Sequence, residues 1–231
     1  MEQPLLWLDM DFDRSPSELL WVDSKNWGPL NGKLLSLSYG YGKVQLVLTE
    51  SIQGTKQGGV IDLPEIKFLT GIMRGRFNPA DGQLYACGLS AWGTSQVMKG
   101  GDLYRLRYTG KPLSTPTELN VLKDGIQLTF AQPLNSVDAA DTANYKIETW
   151  SLKRSKKYGS DRLNRRPIRI DKIYVRDDAT SVRLNIPNLK PTDVMTIQYK
   201  VRDINNNILE GKIQNTIHVL EKQGSASAVQ R

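Results

Sequence analysis

The fold class is decided by the stretch LLSLSYGYGKVQLVL, which occupies residues 34–48. On both sides of the central GYG, residues 40–42, apolar side chains recur with a period close to two, as they do in strands with a buried face. The glycines supply the backbone freedom that a tight connection requires. The stretch therefore predicts two strands separated by a glycine-rich turn.

The period of two recurs along the rest of the chain and indicates an all-β protein. Turns are predicted at NPADG, residues 78–82, and at DINNN, residues 203–207, because Asn, Pro, Asp and Gly favour turn conformations. Only residues 139–144 suggest a helical turn. Further strands are predicted at residues 73–77, 83–87, 103–108, 125–130, 145–150, 168–175, 181–186, 194–199 and 216–220.

A change of composition at residues 109–117, TGKPLSTPT, predicts a boundary between two parts, because Pro, Ser and Thr are typical of linkers. We predict one β domain at residues 1–112, a second at residues 113–221 and a flexible tail at residues 222–231. The short strands of the second part have the spacing of a β-sandwich.

The composition excludes several kinds of chemistry. The 231 residues include one Cys and one His. A single Cys forms no internal disulfide and no CxxC metal knuckle, and the chain has no CxxCH haem-attachment sequence. One His leaves no zinc site of ordinary ligand number and no second imidazole for a proton relay. The proportions of 39% hydrophobic and 24% charged residues exclude collagen, a long coiled coil and wholesale disorder.

The N-terminal sequence MEQPLLWLDMDFD, residues 1–13, gives no sign of export. A secretory signal needs a basic start and an apolar run of about seven or more residues, and neither is present. No stretch approaches the roughly 18 apolar residues of a membrane span. We therefore expect a soluble chain without a signal peptide or a membrane span, which is either unexported or a downstream piece of a longer protein.

The net charge of +7 comes from one basic segment, residues 153–169, which contains eight bases and one acid. Its scarcity of apolar residues predicts a long exposed loop, through Pro167, between two strands. Arg and Lys bind phosphate, sulfate, uronate or lipid headgroups, so candidate ligand-binding residues are Lys156, Lys157, Arg165 and Arg166. The alternative is a solvated loop without a specific partner. No helix-turn-helix, zinc-finger or RNP-type pattern supports nucleic-acid binding.

Arg74 and Arg76 alternate along a predicted strand and therefore project to one side of it. Asn78 and Asp81 follow at the end of that strand. One hypothesis places these four residues in a ligand-binding site. The alternative is that Asn78 and Asp81 form the turn and pair with the arginines for structural reasons.

Three further residues have both a functional and a structural interpretation. Trp92, in the glycine-rich residues 88–101, is either a platform for a sugar ring or a packing residue. Cys87 is predicted to be a small buried hydrophobe in an inner strand. His218 is predicted to be a hydrogen-bonded structural residue, because nothing nearby in sequence offers a nucleophile for a general base.

Several segments give the chain a family resemblance. They resemble the closing part of a six-bladed-type β-propeller in large secreted bacterial proteins that are similar to quinone-dependent glucose/sorbosone dehydrogenases. Many of those proteins also carry a c-type cytochrome domain. In that family an immunoglobulin-like domain follows the propeller. The propeller-like segments are WGPLNGKLL (27–35), SYG (38–40), QGGV (57–60), GIMRGRFNPADGQLY (71–85), CGLSAW (87–92) and RYTGKP (107–112), and the Ig-like ones are YGS (158–160), IPNLKP (186–191) and TIHVL (216–220).

The resemblance implies a partial β-propeller, made of its closing blades, followed by an Ig-like β-sandwich in a periplasmic or extracellular protein. Near the propeller axis Arg74 and Arg76 would face the central channel. Family relatives use a quinone and haem c, but this chain has no cytochrome motif and no counterpart of the His and Arg set that holds the quinone. We therefore expect no cofactor in this chain. The expected partners are the remaining blades or a partner chain that covers the strand edges.

Three functions compete. The first is a noncatalytic C-terminal segment of the propeller protein with a structural or interaction role. The second is a carbohydrate-binding module whose basic loop and aromatic residues hold an acidic polysaccharide. The third is a quinone-dependent sugar oxidoreductase. We expect the first, without catalysis by this chain alone, because the sequence offers no identifiable catalytic pair.

Overall fold

The computed structural model describes residues 2–90, 99–156 and 158–221, and it confirms the all-β class. Strands account for 53% of the chain and helices for 6%. The described residues contain a short helix, α1 (Ser136–Ala139), and 3₁₀ turns at Lys25–Leu30 and Thr142–Asn144. The strands are β1 (Pro16–Trp21), β2 (Leu34–Ser38), β3 (Lys43–Ile52), β4 (Thr55–Lys67), β5 (Gly71–Phe77), β6 (Leu84–Leu89), β7 (Gly101–Leu106), β8 (Pro116–Leu122), β9 (Gly125–Phe130), β10 (Tyr145–Ser151), β11 (Leu163–Ile168), β12 (Lys172–Val175), β13 (Ser181–Asn185), β14 (Thr192–Arg202) and β15 (Ile208–Ile217).

The strands of the described chain form three antiparallel sheets. The large sheet has eight strands in the order β1-β2-β3-β4-β15-β14-β10-β11. A four-stranded sheet has the order β12-β13-β9-β8, and a three-stranded sheet has the order β5-β6-β7. Most neighbours in the sheets are also neighbours in sequence, as in hairpins, whereas β4–β15 joins strands that are far apart in the chain.

The stretch at residues 34–48 folds as predicted into two strands. β2 and β3 pair antiparallel, with Leu34 opposite Val47 and Leu37 opposite Val44. In the connection Gly42 has φ of 59°, a left-handed conformation that glycine adopts without steric cost. Local sequence therefore specifies both the strands and the turn between them.

The apolar core lies between the large sheet and the two smaller sheets. Gly75 of the three-stranded sheet faces the first part of the large sheet, where a Cβ added to it would lie 2.9 Å from Leu20 Cδ1 and 3.1 Å from Leu37 Cδ1. Over the second part of the large sheet, Phe130 of the four-stranded sheet packs edge to face against Tyr199 of β14, with ring centroids 5.6 Å apart. The large sheet thus forms one layer, and the smaller sheets form the second.

The large sheet continues across the boundary predicted at residue 112. β4 precedes that boundary and β15 follows it, yet they pair directly, with Ile61 opposite Ile213 and Gly58 opposite Thr216. Buried apolar residues of both parts belong to one core cluster. The division into two domains stays a prediction, and the predicted tail at residues 222–231 lies outside the described residues.

The basic segment is a loop only in its first part. Residues 152–156 and 158–162 are in neither strand nor helix, whereas β11 is an edge strand in which Arg166 lies opposite Thr149 of β10. The prediction of a loop through Pro167 is therefore wrong for β11. An edge strand needs backbone pairing on one side only and its charged side chains stay in water, so a sequence poor in apolar residues can form it.

Candidate functional site

The outer face of the large sheet, opposite the core, is crossed by residues 4–13, which we call the N-terminal strap. Because Ile213 faces the core, alternation along β15 turns Gln214 and Thr216 outward. Trp7 N–H donates to Thr216 Oγ1 at 2.8 Å, and Asp9 N–H donates to Gln214 Oε1 at 3.3 Å. Backbone N–H groups of the strap therefore donate hydrogen bonds to polar side chains on this face of the sheet.

His218 belongs to the same arrangement. Its Nε2 lies 2.8 Å from the carbonyl oxygen of Pro4 and donates to it. Its backbone N–H donates to Gln57 Oε1 at 2.8 Å. The structure thus confirms that His218 is hydrogen-bonded, as the sequence predicts.

Arg162 of the basic segment fastens the strap to the large sheet. Its Nε lies 2.7 Å from Asp9 Oδ2, and its Nη2 lies 2.9 Å from Asp9 Oδ1 and 2.6 Å from Asp11 Oδ2. Burial acts to raise the pKa of Asp9, but the hydrogen bonds from Arg162 and from Asp11 N–H outweigh it, so the pKa lies below its usual value. The hydrogen bond to Asp9 in turn raises the pKa of Arg162.

Trp150, which is 3% exposed, is a stacking platform for arginines of the basic segment. The guanidinium carbon of Arg162 lies 4.9 Å from its ring centroid, and that of Arg165 lies 6.0 Å away. Arg165 also forms an ion pair with Glu148 at 2.9 Å, and this hydrogen bond holds the pKa of Glu148 below its usual value. Two arginines of the basic segment are therefore bound to acids of the protein itself.

The other anion-site candidates are not brought together with Arg165. Alternation along β11 places Arg166 on the opposite face from Arg165. Arg166 is exposed and lines a cleft of about 430 Å³ together with Lys190. Lys156 is exposed in the loop, and Lys157 lies outside the described residues.

Arg74 and Arg76 lie on the outer face of the three-stranded sheet, and both are exposed. Gly75 between them faces the core, so the two arginines project to the same side as predicted. Arg76 Nη1 lies 2.7 Å from Glu18 Oε1 of β1, and Arg74 Nη1 donates to the Met73 carbonyl at 2.7 Å.

Asn78 and Asp81 shape the turn that follows β5. Asp81 Oδ1 accepts from Gln83 N–H at 2.9 Å and Oδ2 accepts from the Tyr85 hydroxyl at 2.8 Å, while Asn78 Oδ1 accepts a backbone N–H of the same turn. The hydrogen bond from Gln83 is the largest influence that lowers the pKa of Asp81. The predicted turn is confirmed. The alternative in which Asn78 and Asp81 pair with Arg74 and Arg76 is wrong, because their oxygens accept hydrogen bonds from Ala80, Gln83 and Tyr85, and Arg76 pairs with Glu18.

Cys87 is exposed on the same outer face, opposite Arg74 and Leu103 on the neighbouring strands. The prediction that it is buried is wrong. Leu84 and Ala86 face the core, so strand alternation turns Cys87 outward. Trp92, the other aromatic candidate, lies outside the described residues.

Asp13 at the end of the strap is a buried carboxylate, with 2% of its surface exposed. Its Oδ1 accepts a hydrogen bond from the Ser38 hydroxyl at 2.6 Å, and its Oδ2 has no hydrogen-bond partner among the described residues. Burial raises the pKa of Asp13 to about 6, although the hydrogen bond from Ser38 and the nearby Lys43 ammonium act to lower it.

A groove of about 620 Å³ runs along β7. Its aromatic lining comes from Trp27, Phe68, Tyr104 and Tyr108, and the rings of Phe68 and Tyr104 are 4.7 Å apart at their centroids. Sequence reasoning missed this groove because its rings come from separate segments. The alternation at residues 103–108 gave the only signal, and it indicated a strand.

The described parts of the chain hold no group of three or more His, Cys, Asp or Glu placed to bind a metal ion. Within the same ranges, no helix has the length and apolarity needed to cross a membrane. Comparison with known proteins finds no matching family model, no matching curated protein and no matching solved structure.

Proposed function

We propose that the chain is a noncatalytic segment of a larger secreted β-propeller protein. In this proposal residues 1–112 supply closing blades, and residues 113–221 form an Ig-like β-sandwich that braces them. The protein is periplasmic or extracellular. The quinone and haem c implied by the family resemblance are bound by other parts of the parent protein.

The bracing role is supported by contacts between the two parts. Strand pairing of β4 with β15 gives them one shared sheet. Arg162 adds a second link, because its guanidinium holds Asp9 and Asp11 of the strap. A segment that only tethered the blades would need neither contact.

The observation that carries the proposal is apolar surface on two terminal strands of the described sheets. Leu19 and Trp21 of β1 are 61% and 62% exposed, and Leu103 of β7 is 68% exposed. Edge strands with exposed apolar side chains promote association, and folded proteins normally cover such edges. The remaining blades of a propeller are the cover that we propose.

The polysaccharide alternative receives less support from the same contacts. It needs the charge of the basic segment to be free for a ligand. Arg162 and Arg165 are instead engaged by Asp9, Asp11 and Glu148.

Sedimentation velocity tests the proposal on the isolated chain. We expect the wild type to self-associate at micromolar concentration through its uncovered edges. The combined variant Leu19→Ser, Trp21→Ser and Leu103→Ser should sediment as a monomer, because the change removes the exposed apolar surface.

The matched control is Val137→Ser, since Val137 is 85% exposed but belongs to α1 in the second part. This variant should associate as the wild type does. A wild-type chain that stays monomeric throughout the concentration range would contradict the proposal.

A further inference from the structure

One edge of β7 is unpaired in the described structure. β6 pairs with one edge of β7, and no described strand pairs with the opposite edge. Ser90 N–H donates to Gly100 O at 3.2 Å just before the ladder of β6 and β7. Hydrogen-bonded pairs alternate along an antiparallel ladder, so Tyr104 and Leu106 direct their backbone groups toward β6.

The same alternation leaves the backbone N–H and C=O of Arg105 directed away from β6. Leu103 N–H also points outward, but Asp102 Oδ1 accepts it at 2.9 Å. On the opposite edge of the sheet, Gly75 N–H is accepted by Glu18 Oε2 at 2.7 Å. Arg105 is therefore an open hydrogen-bonding position on this edge, in the part of β7 that lines the groove.

The aromatic groove lies beside this edge. β4 and its extension contribute residues 65–68, and β7 and its extension contribute residues 104–109. Beyond Ile61, β4 has no partner in β15, because their pairing spans only residues 58–61 of β4. Two unbroken backbone runs thus border an apolar floor that contains Trp27 and Leu113.

The groove is bordered by more positive than negative charge. Its cations are Lys67, Arg105, Arg107 and Lys111, and none of these forms an ion pair among the described residues. The lining acid is Glu65, whose carboxylate accepts a hydrogen bond from Ser114. A partner with acidic side chains is complementary to this border.

We propose that the free edge of β7 accepts an additional β-strand, in which apolar and acidic side chains alternate. The apolar side chains enter the aromatic groove, and the acidic ones meet its cations. Backbone hydrogen bonds to Arg105 set the register, as in other cases of strand addition to a sheet edge. The source of the strand, one of the remaining blades, rests on the function proposed above.

A fluorescein-labelled heptapeptide that alternates Val and Glu is a direct probe, with fluorescence anisotropy as the readout. The Val and Glu peptide should bind at least about tenfold more tightly than its Val and Lys counterpart, because the groove is cationic. Arg105→Pro removes the outward N–H without touching the β6 ladder, and should weaken binding about tenfold. Arg105→Ser keeps the N–H and should weaken binding only about two- to threefold.

Hydrogen exchange on the wild-type chain gives a second readout that needs no variant. The Val and Glu peptide should slow exchange at Arg105 and leave β11 unchanged. Equal affinity for both peptides, equal affinity for Arg105→Pro, or protection at another edge would each overturn strand addition at β7.

The two proposals fail separately. If the Leu19, Trp21 and Leu103 variant abolishes self-association while the peptide does not bind, the scaffold function stands and strand addition is refuted. Self-association of the wild type that is lost in Arg105→Pro, together with no binding of the Val and Glu peptide, would identify a second copy as the occupant and would refute an acidic strand.

Discussion

At the scale of single residues, Asp13 combines burial with a raised pKa. Its carboxylate is buried, one of its oxygens has no hydrogen-bond partner among the described residues, and Ser38 donates to the other. A buried charge without full hydrogen bonding costs stability unless it takes up a proton. The raised pKa of Asp13, about 6, expresses this cost.

We expect Asp13→Asn to stabilise the protein at pH 7. The folded pKa lies above the ordinary value of 3.8, so the folded state binds the proton more tightly than the unfolded state does. For this group stability therefore rises as pH falls from about 6 to about 4, and is lowest above pH 6. The gain should be about 2 to 3 kcal/mol at pH 7 and should fall to about 0.5 kcal/mol at pH 4, since one pKa unit corresponds to about 1.4 kcal/mol.

Urea unfolding of both proteins at pH 4 and pH 7 measures this difference. Asp177→Asn is the control, because Asp177 is exposed and its replacement should change the free energy of unfolding by less than about 0.5 kcal/mol. A gain of equal size at both pH values would show that burial of the charge is not its cause.

At the scale of elements, the three-stranded sheet depends on a close approach of β5 to β1 and β2. Gly75 makes this approach possible, because it has no side chain where Leu20, Leu37 and Leu84 converge. Its N–H is also accepted by Glu18, which ties the edge of β5 to β1. The packing of β5 and its hydrogen bond to β1 thus both depend on Gly75.

We expect Gly75→Ala to destabilise the protein by about 1 to 3 kcal/mol, the usual cost of overpacking a core. A Cβ would lie 2.9 Å from Leu20 Cδ1 and 3.2 Å from Leu84 Cδ1, so these leucines must move. Chemical denaturation gives the free energy. Gly100→Ala is the matched control, since no atom lies within 4 Å of its added Cβ, and its stability should be unchanged. Equal stability of the two variants would contradict the role assigned to Gly75.

At the scale of the whole molecule, one large sheet joins the two predicted parts. The β4–β15 pairing and the Arg162 contacts to Asp9 and Asp11 bring together residues that are more than 150 positions apart. Such contacts couple the unfolding of one part to that of the other.

We expect the chain to unfold as a single cooperative unit. Trp27 and Trp150 are both 3% exposed and report on the first and second parts. In the chain labelled with 5-fluorotryptophan, their ¹⁹F signals should disappear at the same urea concentration, with assignments from Trp27→Phe and Trp150→Phe. Two separate midpoints would show that the parts unfold independently.

Much of the local structure could be predicted from sequence, and much of the site could not. The strands at residues 34–48, the turn after Phe77 and the outward direction of Arg76 follow from alternation and turn chemistry, which act over a few residues. One of the two interpretations drawn from the sequence paired Asp81 with the arginines. The sequence had no means of finding Glu18 as the partner of Arg76, because that contact depends on how two sheets pack.

What the sequence by itself determined is the all-β class, its turns and the location of its positive charge, because these depend on neighbouring residues. Tertiary structure decided which strands share a sheet, that Cys87 faces outward and that Arg162 binds Asp9. It also converted part of the basic segment into an edge strand. These outcomes depend on pairing between residues that are distant in the chain. Alternation along a strand shows that the strand has two different faces, but it does not show which other element covers each face.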